Sequence, residues 1–298
     1  MTGSAGLIGM AARQTLAAAG HTVTAIDVTD FGRGDSEIQI MGLADRDALD
    51  RLIRQNAIEA IIHCAAISGP MMARGDPLKI VAVNIDSTAL LLDLARIHGM
   101  KRFVFCSSIS VYGDAGMVRI DEETALHPTS VYGASKVACE QLIEGFATEY
   151  GVEGVSLRIG RVYGPYRRAN CCLNDIVRNA AAGRKTTIPC DLGFVYHYVH
   201  VDDVAAAIAA ALVAPQYPRR SYNVGSGEAL TMPQIAEIAV QTIRGAEIEL
   251  VPGADDVPDV QMTFDVGRIG HDLNWHPQIR LASGLKNYRD AIVAGRSA

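Results

Sequence analysis

MTGSAGLIGMAARQTLAAAG (Met1–Gly20) opens the chain, and its first nine residues decide how the rest is read. Gly3, Gly6 and Gly9 are evenly spaced and run straight into an Ala/Leu stretch of helical character. Glycines at this spacing let a backbone turn tightly and approach a diphosphate, which then rests on the N-terminus of the following helix. A glycine trio alone is a weak signal. Its support is Asp27, 18 residues beyond Gly9 at the end of the next β-like segment. A carboxylate there accepts hydrogen bonds from the adenosine ribose of a dinucleotide and repels a 2′-phosphate, which favours NAD over NADP. Arg33 is close enough in sequence to reverse that preference if its loop folds back.

A turn of this kind follows a buried strand, yet only Met1 and Thr2 precede Gly3. In a doubly wound sheet that strand is central, with a neighbour on each side. Losing it leaves ladder groups unpaired and removes several core side chains worth ~1.5–3 kcal/mol each. The expectation is a first strand that is missing or truncated, with the true start upstream and a GTG valine codon taken for an initiating methionine. Translating the upstream DNA tests it: a stop codon, or no apolar stretch in frame, sinks the idea.

Beyond the loop, short β-branched runs alternate with helical segments. His21–Asp27, Ala60–Ala66, Arg102–Ser108 and Glu153–Ile159 have strand character, while Asp45–Gln55, Pro77–His98 and Ser130–Tyr150 have helical character. Apolar strands separated by helices of this length predict an α/β fold with a Rossmann-type, doubly wound parallel sheet covered on both faces. From about Arg161 the rhythm breaks, Gly and Pro become frequent and segments shorten. We expect a dinucleotide-binding domain over residues 1–160. Residues 161–298 are expected to form mainly a smaller C-terminal substrate lobe, from which about 199–225 return to the main domain, because ligands bind at the carboxyl ends of parallel strands.

Composition narrows the class. The 298 residues are 49% hydrophobic and 20% charged, which describes a well-buried globular chain. Its longest apolar run, Val204–Pro215, is too short to span a bilayer, and no membrane partner is expected. A net charge of −6 gives no general attraction to nucleic acid. The six cysteines, adjacent Cys171 and Cys172 among them, form no C-x-x-C pair and have no His partner at metal spacing. They are expected to be small apolar residues of a cytoplasmic protein without a metal site.

The strongest chemical signal lies in FCSSISVYG (Phe105–Gly113) and VYGASK (Val131–Lys136). Tyr132 and Lys136 are four apart, so a helix places them on one face. A free tyrosine hydroxyl titrates near ~10, and a neighbouring ammonium stabilises its phenolate. Ser108, at the end of a strand, can hydrogen-bond a reacting hydroxyl or carbonyl. Together these groups can take a proton from an alcohol while hydride leaves for a nicotinamide.

These residues resemble the extended short-chain dehydrogenase/reductase family, in particular its NAD-dependent epimerase/dehydratase branch. The likeness runs through TGSAGLIG, HCAA (His63–Ala66), Asn84, SSISVYG, YGASK, VYGP (Val162–Pro165), YVHVDDVA (Tyr198–Ala205) and YNVGSGE (Tyr222–Glu228). It implies Ser108, Tyr132 and Lys136 as the catalytic set. It also implies an NAD site of Gly3, Gly6, Leu7, Ile8, Gly9, Asp27, Leu43, Ala65, Asn84, Tyr132 and Lys136, and a homodimer packed through helices starting near Pro77 and Ser130.

Departures from the family pattern narrow the reaction. Its 4,6-dehydratases carry Asp-Glu directly after the catalytic Ser/Thr, where this chain has Ile109 and Ser110, so dehydration is not expected. Family members that use UDP-sugars commonly grip the diphosphate with arginines at the positions of Tyr196 and Gly253. Two such contacts are worth ~1.5–3 kcal/mol each. The family's adenine-contacting Asp is replaced by Gly42, just before Leu43. Substitutes for the missing cations are Arg161, Arg167 and Arg168, which with Ser108, Ile109 and Tyr196 make up the candidate substrate site. His197 and His200 adjoin it, His200 as a structural residue, and His63 is expected to pack under the cofactor.

Three functions fit these residues. The first is an NAD-dependent oxidoreductase acting at a secondary hydroxyl of a small sugar or sugar-acid-like substrate. The second is a UDP-sugar 4-epimerase, in which reduced cofactor returns the hydride to the other face. The third is a non-catalytic NAD-binding sensor.

Overall fold

The computed structural model describes residues 1–69, 75–168, 171–254 and 259–294. Its main sheet is parallel throughout. Arg102–Ser108 lies between Ala60–His63 and Gly154–Ile159, and Ser221–Val224 forms the far edge. On the other side Ala25–Asp27 pairs with Ile38–Ile40. Strand Gly154–Ile159 is buried along its whole length, as a sheet covered on both faces requires.

Thr2 joins the two halves of the sheet, bridging in parallel to Ile26 and to His63. Its N–H donates to Ile62 O at 3.0 Å and its carbonyl accepts from Cys64 N at 3.3 Å, while Ile26 N donates to Met1 O at 2.9 Å. The place of the central strand is therefore held by Met1 and Thr2, and the strand order is that of a doubly wound dinucleotide fold. Beside them lies a cavity of about 40 Å³ lined by Ile26, Leu49, Ile53, Ala60, Ile61 and Leu91 among others. The short centre explains a difference from the sequence reading. His21–Asp27 forms a strand only over Ala25–Asp27, where Met1 and Thr2 supply ladder partners.

Helices cover both faces. Leu7–Ala18 and Val201–Val213 pack together through Ala11, Ala12, Leu16, Val204, Ala205 and Ile208, whose small side chains allow close approach. On the other face Ser87–Ile97 and Val131–Tyr150 bury Leu91, Leu92, Cys139 and Ile143 against Phe103 and Phe105. The long helix expected over Pro77–His98 is instead α over Pro77–Val81, a π turn over Ala82–Asp86, and α again over Ser87–Ile97. No described helix is long and apolar enough to cross a membrane.

After Ile159 the chain builds a second core. Arg161–Tyr163 pairs with Tyr198–His200, and Thr186–Cys190 with Ile248–Pro252. Tyr163, Ile176, Tyr198, Ile235, Leu285 and Tyr288 pack between them and helices Cys172–Ala181, Met232–Thr242 and Leu281–Val293.

Candidate active site

The glycine loop crosses the carboxyl ends of the central strands. Gly3 has φ of 66°, and a Cβ there would lie 2.5 Å from Ala65 N, so only glycine lets the loop rest on the strand that ends at His63. Gly6 stands at the N-cap of helix Leu7–Ala18, in which Leu7, Ile8 and Gly9 form the first turn. No side chain caps this helix and its first turn holds no acid, so its leading amides stay open to an anion. Asp27 ends its strand with Oδ2 accepting from Ala5 N at 2.9 Å and Oδ1 from Val28 N at 2.7 Å. Leu43 packs at the edge of the core under this end of the sheet.

Ser108 closes strand Arg102–Ser108, and its Oγ accepts from Ser110 N at 3.1 Å in the 3₁₀ turn Ile109–Val111. Against that turn sits the first turn of helix Val131–Tyr150, started by Ser130 Oγ accepting from Gly133 N at 3.1 Å. A Cβ on Gly133 would fall 2.4 Å from Ser110 O, so this glycine permits the contact that carries Tyr132 toward Ser108. One turn on, Lys136 is buried, with Nζ donating to Cys106 O at 2.7 Å and lying 5.8 Å from the centroid of the Tyr132 ring. Serine, tyrosine and lysine thus meet at one place.

Beneath them is a buried polar layer. His63 Nδ1 meets Thr2 Oγ1 at 2.7 Å and Nε2 meets Thr88 Oγ1 at 3.1 Å. Thr88 spends its proton on Asn84 O, and Thr2 Oγ1 already accepts from Ala65 N, which assigns the ring proton to Nε2. Burial, then the Lys136 charge, lowers the His63 pKa from 6.5 to about 3. Asn84, in the π turn, is fully engaged. It accepts from Ile67 N at 2.8 Å and donates to Ser135 Oγ at 2.9 Å, tying the loop after Ala65 to the helix of Tyr132.

The remaining candidate substrate residues lie on or beside the second core. The Arg161 guanidinium lies 5.0 Å from the Tyr196 ring centroid and 5.7 Å from that of Phe194. Tyr196 is stacked on Tyr198, while Ile109 is buried and lines a small cavity with Gly160 and His197. The other two candidate arginines diverge. Arg167 turns inward to donate to Val162 O at 2.8 Å, and Arg168 reaches away to the Phe31 ring beyond the glycine loop. His200 caps helix Val201–Val213 by accepting from Asp202 N at 3.2 Å, and His197 Nε2 bonds Gln261 O at 2.8 Å.

Residues 1–225 match the model of the NAD dependent epimerase/dehydratase family. The chain belongs to that family. It is 30% identical over 300 residues to UDP-glucose 4-epimerase of Corynebacterium glutamicum, covering 93% of this chain and 90% of that protein. It is 28% identical over 266 residues to dTDP-glucose 4,6-dehydratase of Streptomyces niveus, covering 87% and 76%. Among solved structures, UDP-glucose 4-epimerase of Thermotoga maritima with UDP-glucose aligns over 99% of this chain and 98% of that one, with a TM-score of 0.87 and 26% identity. The Thermus thermophilus UDP-glucose 4-epimerase in complex with NAD aligns over 97% and 96%, with a TM-score of 0.85 and 28% identity.

As a member of this family the protein is an NAD-dependent enzyme of sugar modification. The residues present fit the cofactor: an uncapped helix start for a diphosphate, a loop that admits no side chain at Gly3, and a carboxylate at the strand end for a ribose. Among the described residues no cluster of His, Cys, Asp or Glu could hold a metal ion.

One buried ion pair on the helix of Tyr132 escaped the sequence reading. Glu140, one turn past Lys136 on the same helix face, accepts from Ser107 Oγ at 2.5 Å and pairs with Arg158 at 2.7 Å, both sides nearly fully buried. Arg158 Nη1 also donates to Tyr112 OH at 2.9 Å. The i, i+4, i+8 series Tyr132, Lys136, Glu140 was the available signal.

Proposed function

We propose that the protein oxidises a secondary hydroxyl of a sugar-acid-like substrate and releases NADH. Tyr132 takes the hydroxyl proton as general base, and Ser108 holds the reacting oxygen by a hydrogen bond. Lys136 supplies positive charge beside the phenol and anchors the nicotinamide ribose. When bound, NAD supplies the hydride acceptor. Residues 161–298 act mainly as the substrate lobe, with about 199–225 belonging to the cofactor domain.

The observation that carries this reading is the cation at the substrate wall. Tyr196 stands where nucleotide-sugar enzymes of the resembling pattern carry arginine, and Gly253 packs so closely on Pro189 that a Cβ would lie 2.6 Å from its Cβ. Neither position offers a guanidinium to a diphosphate. Arg161, against Tyr196 and Phe194, is the guanidinium of the candidate substrate residues, and a guanidinium is the side chain best suited to a carboxylate. The relatives named above favour a second reading, UDP-sugar 4-epimerisation with no net NADH.

The test is NADH absorbance with purified protein, NAD and a panel of sugars, aldonates, uronates and UDP-sugars. Steady NADH release with an aldonate or uronate supports the first reading. Inversion of a UDP-sugar without net NADH replaces it with the second. A homodimer packed through helices Pro77–Val81 and Val131–Tyr150 is also proposed, on the exposed apolar side chains of Leu78, Val81 and Val131.

A further inference from the structure

The loop after Asp27 folds back. Asp30 accepts from Gly32 N and Gly34 N, each at 2.8 Å, and Phe31 takes a left-handed φ of 57°. This tight turn aims Arg33 at the glycine loop, where Nη1 donates to Ala5 O at 2.7 Å. Ala5 is the residue whose N–H donates to Asp27, so guanidinium and carboxylate bond the two successive peptides of one residue. Arg33 Nη2 is buried and has no partner.

Arg168 arrives at the same turn from the second core. Its guanidinium lies 4.6 Å from the Phe31 ring centroid, that of Arg33 lies 5.7 Å from it, and Arg168 Nη1 donates to Phe31 O at 3.4 Å. No carboxylate among the described residues is within ion-pair distance of either guanidinium. Asp35 is taken by Arg13 at 2.7 Å, and Asp30 is turned into its own loop. Burial first, then the like charge of Arg168, lowers the Arg33 pKa. Two like charges brought together with a buried donor suit an anion.

We propose that Arg33 and Arg168 bind a phosphate on the adenosine ribose, so that the protein takes the 2′-phosphorylated dinucleotide NADP as well as NAD. The inference rests on Asp27 as the ribose carboxylate. Asp27 opposes a 2′-phosphate, but its two oxygens are each held by a main-chain amide and the Arg33 charge is fixed at the carbonyl of the same residue, Ala5. The site then carries an acid for the free hydroxyl and a guanidinium pair for the phosphate.

Calorimetric binding of 5′-AMP and adenosine 2′,5′-bisphosphate, which differ only in the 2′-phosphate, tests this without turnover. Wild type is expected to bind the bisphosphate at least as tightly as AMP. Arg33→Ala should weaken the bisphosphate about 10-fold or more and AMP less than about threefold, the loss of one charge-assisted contact. Arg168→Ala should act the same way but less, and Asp27→Asn should strengthen the bisphosphate while weakening AMP. Wild type that binds AMP but not the bisphosphate overturns the proposal. So does an Arg33→Ala loss equal for both, which would put Arg33 on the 5′-phosphate. An AMP affinity unmoved by Asp27→Asn removes the ribose reading of Asp27, and the proposal falls with it.

Discussion

The two walls of the cleft are built differently. On the cofactor side each functional group is tied down by short polar bonds: Asp27 to two amides, Lys136 to the Cys106 carbonyl, Asn84 to Ile67 and Ser135. On the substrate side the Arg161 guanidinium also lies against aromatic rings, those of Phe194 and Tyr196, the latter stacked on Tyr198. The first wall serves a dinucleotide whose reacting end must be held in one pose, so fixed polar geometry is an advantage there. The second departs from the family's pattern at Tyr196 and Gly253, which is where a change of substrate would register. Under the proposed function, specificity resides in the second wall.

The sharpest way to break the contrast is on the polar wall. Tyr132→Phe removes the only proposed base and should lower kcat by about 10²–10⁴-fold with little change in NAD affinity, measured by turnover and by calorimetry. Next comes the bond layer beneath it. Glu140→Ala strands the buried Arg158 guanidinium, and urea unfolding should show a loss of ~3–5 kcal/mol. A loss near zero would mean that the helix of Tyr132 is held by other contacts.

His63 makes the same wall sensitive to acid. Its folded pKa of about 3 lies below the ordinary 6.5, so the unfolded chain takes up the proton first. Stability from this group is complete above pH 6.5 and is lost as pH falls toward 3, at up to about 1.4 kcal/mol per pH unit. Urea midpoints between pH 6.5 and 5 should fall in wild type and fall less in His63→Gln. The smallest effect concerns the short central strand. Ala60→Val adds a methyl-bearing side chain at the cavity beside Met1 and Thr2 and should raise stability by less than ~1 kcal/mol, read as a higher Tm.

The sheet and its main helices were legible because buried parallel strands leave continuous apolar runs, as in Arg102–Ser108, and amphipathic spacing marks the helices between them. The ends were less so. His21–Thr24 has strand composition, yet a strand needs a neighbour, and the ladders with Thr2 and with Ile38–Ile40 reach only Ala25–Asp27. The π turn at Asn84 carries no compositional mark. Tyr132 and Lys136 were readable from spacing on one helix, and the positions of Ser108 and Asp27 from strand ends. The fates of the arginines were not: whether Arg33 folds back or Arg168 crosses to Phe31 depends on loops whose course is set by contacts distant in sequence.

The proposed substrate wall is tested most directly by the Michaelis constant of Arg161→Ala for the proposed sugar-acid substrate. The account predicts a KM raised about 10–100-fold with kcat within about threefold, the loss of one charge-assisted contact made equally in ground and transition states. An unchanged KM would contradict it and return the substrate wall to a role that does not involve a carboxylate.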